Sequence, residues 1–429
     1  MNSTTAPRLA SSPTQPASAP RAARQVLKLL ERLPVGQLDL QLPDGRALRC
    51  PTRAAVSAVH TDADTAPGLR ASLHVHDWGV FERTLRSGDI GFAEGYIEGL
   101  WDSPDLAALM RLMLANRDHI ERMVYGTWWG SLWHRVRHLM RRNTRSGSAR
   151  NIHAHYDLGN SFYRLWLDAS MSYSAALFEG QDRTTGDLQQ AQWAKVRRAL
   201  REARVSEDSR VLEIGCGWGG LAELAARECQ AHVTGVTLSR EQLQWAQARL
   251  RDAGLDHLTE FRYQDYRDLP QQHARDPFDA IVSIEMFEAV GQEYWGGYFK
   301  TLHECLKPGG HACVQTITIR DDLFDRYVKS TDFIQQYIFP GGLLPSPQVF
   351  EKMAREAGFE VVKRLAFGPD YAETLRRWRS AFDREIDHVR AQGFDERFVR
   401  IWTFYLVYCE AAFDSGNTDV MQFTLRKLP

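Results

Sequence analysis

The sequence has few of the features that mark secreted or membrane-spanning proteins. No apolar run approaches the ~20 residues that a transmembrane helix needs, and no continuous apolar core of signal-peptide length occurs near the N terminus. The six cysteines form neither a C-x-x-C pair nor a zinc-ligand spacing, so no disulfide framework is expected. These absences favour a protein of the reducing cytoplasm.

The chain also lacks a dominant charge of one sign and a complete metal-ligand cluster. Its formal net charge is −1, so no global field attracts nucleic acid, and no nucleic-acid partner is expected. His153, His155 and Asp157 have a spacing that resembles metal ligands, but no further His or Cys cluster complements them. No metal site is therefore predicted.

A glycine-rich turn follows a predicted buried strand and precedes a predicted helix that starts near Leu221. Gly215, Gly217 and Gly219 have no Cβ, so the backbone can turn sharply there and approach a ligand closely. The helix N terminus directs N–H groups at an anionic group in the turn. This arrangement predicts an α/β, Rossmann-like domain with its ligand at the carboxyl ends of the strands.

The second strand bears on the identity of that ligand. The glycine spacing is G-x-G-x-G, and an NAD site expects Asp or Glu at the tip of the next strand. Thr237, Leu238 and Ser239 occupy that tip instead. NAD is therefore disfavoured, whereas a ligand with a ribose and an amino-acid tail, such as S-adenosylmethionine, remains open. The alternative is a turn that only packs a strand against a helix.

Composition divides the chain into four parts. Residues 1–24, rich in Ser, Thr, Pro and Ala, are expected to form a disordered tail. Residues 25–143 are predicted to form a small α+β N-terminal domain, residues 144–151 a linker, and residues 152–429 one α/β catalytic domain. The N-terminal domain is predicted to contain a hairpin over Leu38–Arg49, a strand over Ala71–His76 and helices from about Phe81 to Asn116.

The catalytic domain is predicted to contain five strands with helices between them: Val211–Ile214, His232–Val236, Glu260–Tyr263, Ala280–Ile284 and Ala312–Ile317. The stretch Asp332–Ser346 is expected to interrupt the sheet as a functional loop or short helix.

A basic, aromatic segment, Gly126–Arg142, closes the N-terminal part. It combines three tryptophans, Trp128, Trp129 and Trp133, with four arginines, Arg135, Arg137, Arg141 and Arg142. Interfacial helices carry this mixture. The alternative is an ordinary helix that packs its tryptophans inward, and the sequence leaves both interpretations open.

Polar side chains that could do chemistry follow the fourth and fifth predicted strands. Glu285 and Glu288 come after the fourth, where a carboxylate can act as a base, as a hydrogen-bond acceptor or as a charge at a helix N terminus. Gln315 and Thr316 leave the fifth strand, and Tyr371 precedes an amphipathic helix.

Assembled in order, these runs resemble the cyclopropane-fatty-acyl-phospholipid synthase family, including its mycolic-acid relatives. The N-terminal part is similar to the bacterial phospholipid enzymes, most clearly at Gly91–Trp101. The matching motifs of the catalytic part are His155–Asn160, Tyr173-Ser174, Val211–Gly220, Gly235–Ser239, Glu285–Gly291, Tyr337–Ser346, Asp370–Leu375 and Tyr405–Cys409.

The resemblance implies S-adenosylmethionine as the cofactor and transfer of its methyl carbon to a cis double bond of an acyl chain. The alkene attacks the sulfonium methyl, a base removes a proton from the new methyl of the resulting carbocation, and a ring closes. The residues implied to bind the cofactor are Tyr173, Ser174, Glu213, Gly215, Cys216, Gly217, Gly219, Thr237, Leu238, Gln242, Asp265 and Tyr266.

In the family the base is thought to be a bound bicarbonate, which the resemblance places here beside Glu288, Tyr371 and the backbone of Ile317. Two positions depart from the family pattern, because Gln315 replaces a histidine and Ala175 replaces a cysteine. Gln315 can still donate a hydrogen bond but cannot titrate, and the Ala175 side chain donates nothing.

Cys409 matches a family cysteine that has been suspected as catalytic. The alternative is a buried thiol that packs as a small hydrophobe.

The leading hypothesis is cyclopropanation of unsaturated phospholipid chains at the bilayer surface. The alternatives are methylation or methylenation without ring closure and, from another class, a non-catalytic lipid-binding protein. The expected partners are an unsaturated phospholipid and an anionic membrane surface, with a homodimer as one allowed assembly. The expected location is cytoplasmic, peripheral at the inner face of the cytoplasmic membrane.

If the basic, aromatic segment docks on a membrane, its arginines carry part of the binding energy. Each cation near an anionic leaflet contributes about 1 kcal/mol. Replacing Arg135, Arg137, Arg141 and Arg142 with Gln is therefore expected to weaken binding to anionic vesicles in a sedimentation assay, most visibly at low salt. Unchanged binding at every salt concentration would leave the inward-packing interpretation.

Overall fold

The structure is a computed structural model that describes residues 19–51, 68–124, 158–273 and 275–429, without the side chains of residues 121–124. The basic, aromatic segment, the predicted linker and residues 1–18 of the predicted tail lie outside the described residues. The same is true of the three residues with metal-like spacing, His153, His155 and Asp157.

Helix α1 spans Arg21–Leu30 and begins inside the predicted disordered tail, so that prediction was wrong at its C-terminal boundary. The helix buries Ala23, Leu27 and Leu30, which recur at helical spacing on one face. Pro20 precedes the first turn, where the missing N–H removes no helical hydrogen bond. Burial of a short apolar face thus orders a stretch whose composition favours disorder.

The N-terminal part contains a four-stranded sheet formed by β1 (Gln37–Gln41), β2 (Ala47–Cys50), β3 (Arg70–Val75) and β4 (Trp101–Asp102). The strands lie in the order β2-β1-β3-β4, with β1 antiparallel to β2 and parallel to β3. This confirms the predicted hairpin. The helices that pack beside the sheet are α2 (Gly79–Ile97), α3 (Leu106–Ala115) and α4 (Arg117–Val124).

A second, larger sheet forms the centre of the catalytic part. Its strands are β5 (Arg210–Ile214), β6 (His232–Thr237), β7 (Thr259–Tyr263), β8 (Phe278–Ile284), β9 (Leu306–Ile319), β10 (Phe359–Ala366) and β11 (Thr418–Lys427). They lie in the order β10-β11-β9-β8-β5-β6-β7. The pairs from β9 to β7 are parallel, and β11 is antiparallel to both of its neighbours.

All five predicted strands of this sheet occur, whereas β10 and β11 were not predicted. Strand β10 lies at the sheet edge and leaves most of its residues exposed or half-buried, and its apolar residues do not alternate regularly with polar ones. Strand β11 buries polar residues, among them Gln422 and Thr424, at positions where apolar residues would have revealed it.

Helices cover both faces of the large sheet and connect its strands. The first six are α5 (Asn160–Tyr163), α6 (Leu188–Glu202), α7 (Gly220–Cys229), α8 (Arg240–Asp252), α9 (Leu269–His273) and α10 (Trp295–Cys305). The remaining six are α11 (Asp321–Tyr327), α12 (Phe333–Tyr337), α13 (Pro347–Glu356), α14 (Gly368–Arg384), α15 (Ile386–Ala391) and α16 (Glu396–Asp414). Within the residues described, no helix is both long and apolar enough to cross a membrane.

The N-terminal part packs directly against the last long helix of the catalytic part. Buried side chains from both parts form one continuous apolar cluster. The Arg400 guanidinium on α16 donates to the carbonyl oxygens of Tyr96 and Trp101, at 2.6 and 3.2 Å, and lies 4.0 Å from the centre of the Tyr96 ring. The two parts therefore share a core and are also joined by directional contacts.

A buried carboxylate gathers three arginines at the same junction. Glu410 on α16 is only 1% exposed and pairs with Arg111 of α3 at 3.2 Å. Arg376 and Arg379 of α14 contact the same carboxylate at 3.3 and 3.0 Å. One side chain thus neutralises charges from both parts of the chain.

Replacing Glu410 with Gln is expected to destabilise the fold by about 2 kcal/mol, because charged hydrogen bonds of about 1.5–3 kcal/mol each are weakened and three arginines each lose one of their carboxylate partners. Urea unfolding measures the change. The control is Glu304→Gln, whose exposed partner Lys300 lies 3.8 Å away; its expected effect is below about 0.5 kcal/mol. Equal effects of the two substitutions would contradict a structural role for the cluster.

Candidate active site

The glycine-rich turn joins β5 to α7 at the carboxyl end of the sheet. Gly215, Gly217 and Gly219 have φ angles of +85°, +50° and +80°, in the region that side chains disfavour. A Cβ added at Gly217 would meet no atom within 4 Å, so this part of the turn borders open space. The backbone N–H groups of Gly215 and Cys216 donate to the Val236 carbonyl oxygen and fix the turn against β6.

Polar side chains at the tip of β6 face the same edge of the sheet. The Thr237 hydroxyl donates to Gln242 Oε1 at 3.0 Å, and Ser239 caps α8 by accepting from the Gln242 N–H. Leu238 lies between them. The loop after β6 and the first turn of α8 thus hold three predicted cofactor residues, Thr237, Leu238 and Gln242, close together.

Two further predicted cofactor residues, Asp265 and Tyr266, follow β7. Both oxygens of the Asp265 carboxylate already accept from Arg267, and the Tyr266 ring packs edge-on against Tyr298 at 5.6 Å. Any contact between Asp265 and a cofactor would therefore be shared with Arg267.

Glu213 supplies a buried carboxylate beside the turn. Its Oε2 has no hydrogen-bond partner in the part of the chain that the structure describes, and burial raises its pKa well above the usual range. Burial likewise raises the pKa of Cys216, which leaves that thiol neutral. An unpaired acceptor beside an open glycine turn fits a ligand that brings its own donors, as S-adenosylmethionine does.

The segment Tyr173–Ala175 borders this site from the opposite side. The Tyr173 and Tyr405 hydroxyls lie 2.7 Å apart, and Ser174 Oγ accepts from Lys195 Nζ at 2.6 Å. Tyr173 also packs against Trp166 and Trp378, with ring centres 5.5 Å away in each case. Tyr173 is therefore surrounded by aromatic rings.

A second carboxylate, Glu285, lies at the end of β8 and gathers three hydrogen-bond donors. Oε1 accepts from the Ala175 N–H at 2.8 Å and from Gln315 Nε2 at 2.7 Å, while Oε2 accepts from the Tyr371 hydroxyl at 2.8 Å. The Glu285 backbone has φ +49°, a conformation that side-chain-bearing residues rarely adopt. The strained backbone aims this side chain into the donor cluster.

Glu288 lies one turn later and has different partners. Its Oε1 accepts from the Thr316 hydroxyl at 3.0 Å and from the Ile317 N–H. Its Oε2 is buried and has no partner within the described part of the chain. Burial and the nearby negative charge of Glu285 raise the pKa of Glu288 above its usual range.

The surroundings of the two carboxylates favour different protonation states. Burial raises the pKa of Glu285, but Lys195 and the three donors oppose that rise by stabilising the charged form. Burial and the Glu285 charge raise the pKa of Glu288 to about 8, which favours its protonated form at neutral pH. The negative charge of the pair is therefore more stable on Glu285 than on Glu288.

This arrangement corrects the predicted bicarbonate site. Tyr371 and Gln315, which were expected beside bicarbonate, donate to Glu285, and the Ala175 N–H donates to it as well. The Ile317 N–H, also expected beside bicarbonate, donates to Glu288. Because its expected donors bind carboxylates of the protein, bicarbonate does not fit this arrangement. Of the two candidate carboxylates in the sequence, Glu285 is the one that three of these donors surround.

Cys409 lies on α16 and is partly buried. Burial and the charge of Asp332 raise the pKa of its thiol far above the usual range, so it stays protonated at neutral pH. Because the thiolate is the nucleophilic form, this environment favours the packing interpretation over a catalytic one.

Lys195 is a charged residue of the site that the sequence did not reveal. It is 1% exposed, and its Nζ donates to Ser174 Oγ and Gln192 Oε1 at 2.6 Å each. Gln192 and Lys195 lie three residues apart on α6, a spacing that also occurs on ordinary solvated helix faces. No cluster of three or more metal-ligating side chains occurs among the residues that could be described.

Comparison with known proteins identifies relatives of this chain. The family model for mycolic acid cyclopropane synthetase matches residues 143–423. A tuberculostearic acid methyltransferase of Mycobacterium tuberculosis is 38% identical over 388 residues, covering 88% of this chain and 89% of that protein. The cyclopropane-fatty-acyl-phospholipid synthase of Escherichia coli is 34% identical over 365 residues, covering 82% and 87%.

The fold also matches solved structures. A mycolic acid cyclopropane synthase complexed with SAH and CTAB is 33% identical, with a TM-score of 0.59, and the match covers 65% of this chain and 98% of that one. The matched share corresponds to the catalytic part.

Because the Cys409 thiol is protonated and does not donate to Glu285, we expect Cys409→Ala to keep the turnover rate within about threefold of that of the unchanged protein. The release of S-adenosylhomocysteine with unsaturated phospholipid vesicles measures the rate. The control for loss of a thiol is Cys229→Ala, which lies on α7, far from Cys409 in sequence. A rate below about one hundredth of the control, with unchanged folding, would restore Cys409 to the mechanism.

Proposed function

The chain belongs to the mycolic acid cyclopropane synthetase family, and on that premise we propose that it transfers the methyl carbon of S-adenosylmethionine to a cis double bond in an unsaturated phospholipid acyl chain, with closure of a cyclopropane ring. Membership itself makes it an S-adenosylmethionine-dependent methyltransferase of a family that acts on fatty acids. The cis double bond, the phospholipid substrate and the ring closure are what we propose beyond that membership.

The residues that would hold S-adenosylmethionine are those of the glycine turn, Glu213 and the tip of β6. When bound, S-adenosylmethionine supplies an electrophilic methyl group on a positively charged sulfur. The open space at Gly217 admits the ligand, and the unpaired Glu213 oxygen can accept from a ligand amine. Thr237 and Gln242 offer polar groups for a ribose.

The observation that carries the proposal is the resident carboxylate of Glu285. Addition of a methyl group to one alkene carbon leaves a cation on its neighbour. We assign Glu285 as the acceptor of a proton from the new methyl group. The electron pair of the broken C–H bond forms the second carbon–carbon bond of the ring, so charge and atoms balance.

The hydrogen bonds indicate which oxygen of Glu285 takes the proton. Oε1 already accepts from two donors, the Ala175 N–H and the Gln315 amide. Oε2 accepts only from Tyr371 among its described contacts, and a hydroxyl can turn from donor to acceptor. The proton is therefore expected on Oε2, with Tyr371 reoriented to receive its hydrogen bond.

The surrounding charges support a cationic intermediate. Glu285 is half-buried, and its negative charge favours a positive carbon nearby. Glu288, which holds its proton, adds no second charge. Burial and the Glu285 charge raise the pKa of Tyr371, so this hydroxyl stays available as a donor.

A second candidate is methylenation without ring closure. A hydride shift from the methylated carbon to its neighbour moves the cation onto the methylated carbon, and loss of a proton from the new methyl group then gives a methylidene (C=CH₂) branch on the chain. The 38% identity over 388 residues to a tuberculostearic acid methyltransferase favours this candidate. Both products use the same carboxylate and differ only in what precedes proton loss, so the base site allows either one.

We also propose that the enzyme acts at the inner face of the cytoplasmic membrane. A phospholipid acyl chain must leave the bilayer to reach the site, so a peripheral position shortens its path. The arginines and tryptophans of the basic, aromatic segment supply the mixture that such docking uses.

Glu285→Gln is expected to lower kcat by about 10²–10⁴-fold, the usual contribution of a general base, with S-adenosylmethionine affinity within about threefold. Glu288→Gln is the matched control, and less than tenfold loss is expected because Glu288 already holds a proton. Acyl chains from vesicles of mono-unsaturated phospholipid are analysed by mass spectrometry and NMR.

The products separate the candidates. A chain heavier by one CH₂ with upfield ring-methylene protons supports cyclopropanation, and the same mass with olefinic protons supports methylenation. Wild-type rates for Glu285→Gln would remove Glu285 as the base. Vesicle binding without cofactor binding or product would favour a non-catalytic lipid-binding protein.

A further inference from the structure

Three buried side chains form a hydrogen-bonded chain that ends at Glu285. Gln315 on β9 and Gln422 on β11 are directly opposed in the antiparallel pair. Gln422 Nε2 donates to Gln315 Oε1 at 2.9 Å, and Gln315 Nε2 donates to Glu285 Oε1 at 2.7 Å. At the far end, Arg198 of α6 donates to Gln422 Oε1. Gln315 and Gln422 are 0% exposed and Arg198 is 4% exposed.

The chemistry of the two ends fixes the direction of every hydrogen bond between them. A guanidinium can only donate, so Gln422 must present its oxygen to Arg198. The NH₂ group of Gln422 therefore faces Gln315. The Gln315 oxygen accepts that hydrogen bond, so the NH₂ group of Gln315 points toward Glu285. The second hydrogen of the Gln422 amide is also used, because Nε2 donates to the Lys195 carbonyl oxygen at 3.2 Å. Both amides are thereby prevented from flipping.

We propose that Arg198 and Gln422 are positioning residues that hold the Gln315 amide as a permanent donor to Glu285 and thereby set the pH at which Glu285 accepts protons. The inference rests on the proposed function, because it assigns a purpose to the acceptor state of that carboxylate. A histidine at position 315 could exchange donor and acceptor roles between its ring nitrogens. An amide held at both ends cannot.

Other charged and titratable groups face this chain and stay in place when Gln422 is changed. Lys195 on α6 and Glu288 after β8 act on the Glu285 charge, and Tyr371 on α14 donates to it. Near Arg198 lie Glu202 at 3.6 Å, which also pairs with Lys363 of β10, and the neutral thiol of Cys313 on β9. A shift in the titration of Glu285 after the uncharged change Gln422→Met therefore comes through Gln315, whereas Gln422→Glu adds the repulsion of a second carboxylate.

The decisive variants are Gln422→Glu and Gln422→Met. A carboxylate at position 422 can pair with Arg198 but only accepts, so the Gln315 NH₂ group turns toward it and presents the Gln315 oxygen to Glu285. Methionine merely removes the restraint. The near-isosteric Gln422→Glu is therefore expected to be the more damaging change.

The measurement is the pH profile of kcat on unsaturated phospholipid vesicles. Loss of one hydrogen bond to a charged group is expected to move the midpoint of the rising limb upward by about 1–2 pH units for Gln422→Glu, and by less for Gln422→Met. The KM for S-adenosylmethionine is expected to stay within about twofold. Arg198→Gln should shift the midpoint in the same direction, while its neighbour Arg197→Gln, which pairs with Glu228 at the surface, should not.

The outcomes distinguish the inference from the function on which it rests. A fall in kcat at every pH with an unmoved midpoint would reduce Arg198 and Gln422 to structural residues and overturn the inference. Full activity of Glu285→Gln would instead overturn the proposed function. If Gln422→Glu does not fold, as judged by thermal unfolding, Gln422→Met and Arg198→Gln carry the same test.

Discussion

The proposed chemistry depends on one constraint, which is that the Glu285 carboxylate must stay charged in a place from which most water is excluded. A buried carboxylate without donors would be protonated and useless as a proton acceptor. Three donors from three separate elements prevent this: Ala175 before α6, Gln315 on β9 and Tyr371 on α14. The unusual φ angle of Glu285 costs about 1–3 kcal/mol, and these hydrogen bonds offset it.

The architecture around Glu285 follows from the need to bring those donors together. Parallel pairing of β8 with β9 places Glu285 beside Gln315, and the antiparallel insertion of β11 brings Gln422 behind it. Helix α6 then contributes Lys195 on the cofactor side and Arg198 on the sheet side. The N-terminal part buttresses α16 through Arg111 and Arg400. The same edge of the sheet therefore carries the glycine turn and the proposed proton acceptor.

Much of the fold could be predicted from the sequence, because the five apolar strands and the glycine turn carry strong local signals. Strand β11 could not, since Gln422 is buried by partners that are distant in sequence. Helix α1 was misassigned because its apolar face is short. At the site, the departures at Gln315 and Ala175 were visible, but their link to Glu285 was not. It depends on a positive φ angle, which sequence patterns do not report for a glutamate. Lys195 was missed because its burial is a tertiary property.

The central claim is that the protein supplies its own carboxylate where its relatives are expected to bind bicarbonate. The most direct test is turnover as a function of bicarbonate concentration, starting from buffer freed of carbon dioxide. The account predicts a rate that is independent of bicarbonate for the unchanged protein. A rate that falls toward zero on depletion and recovers on addition of bicarbonate would contradict it.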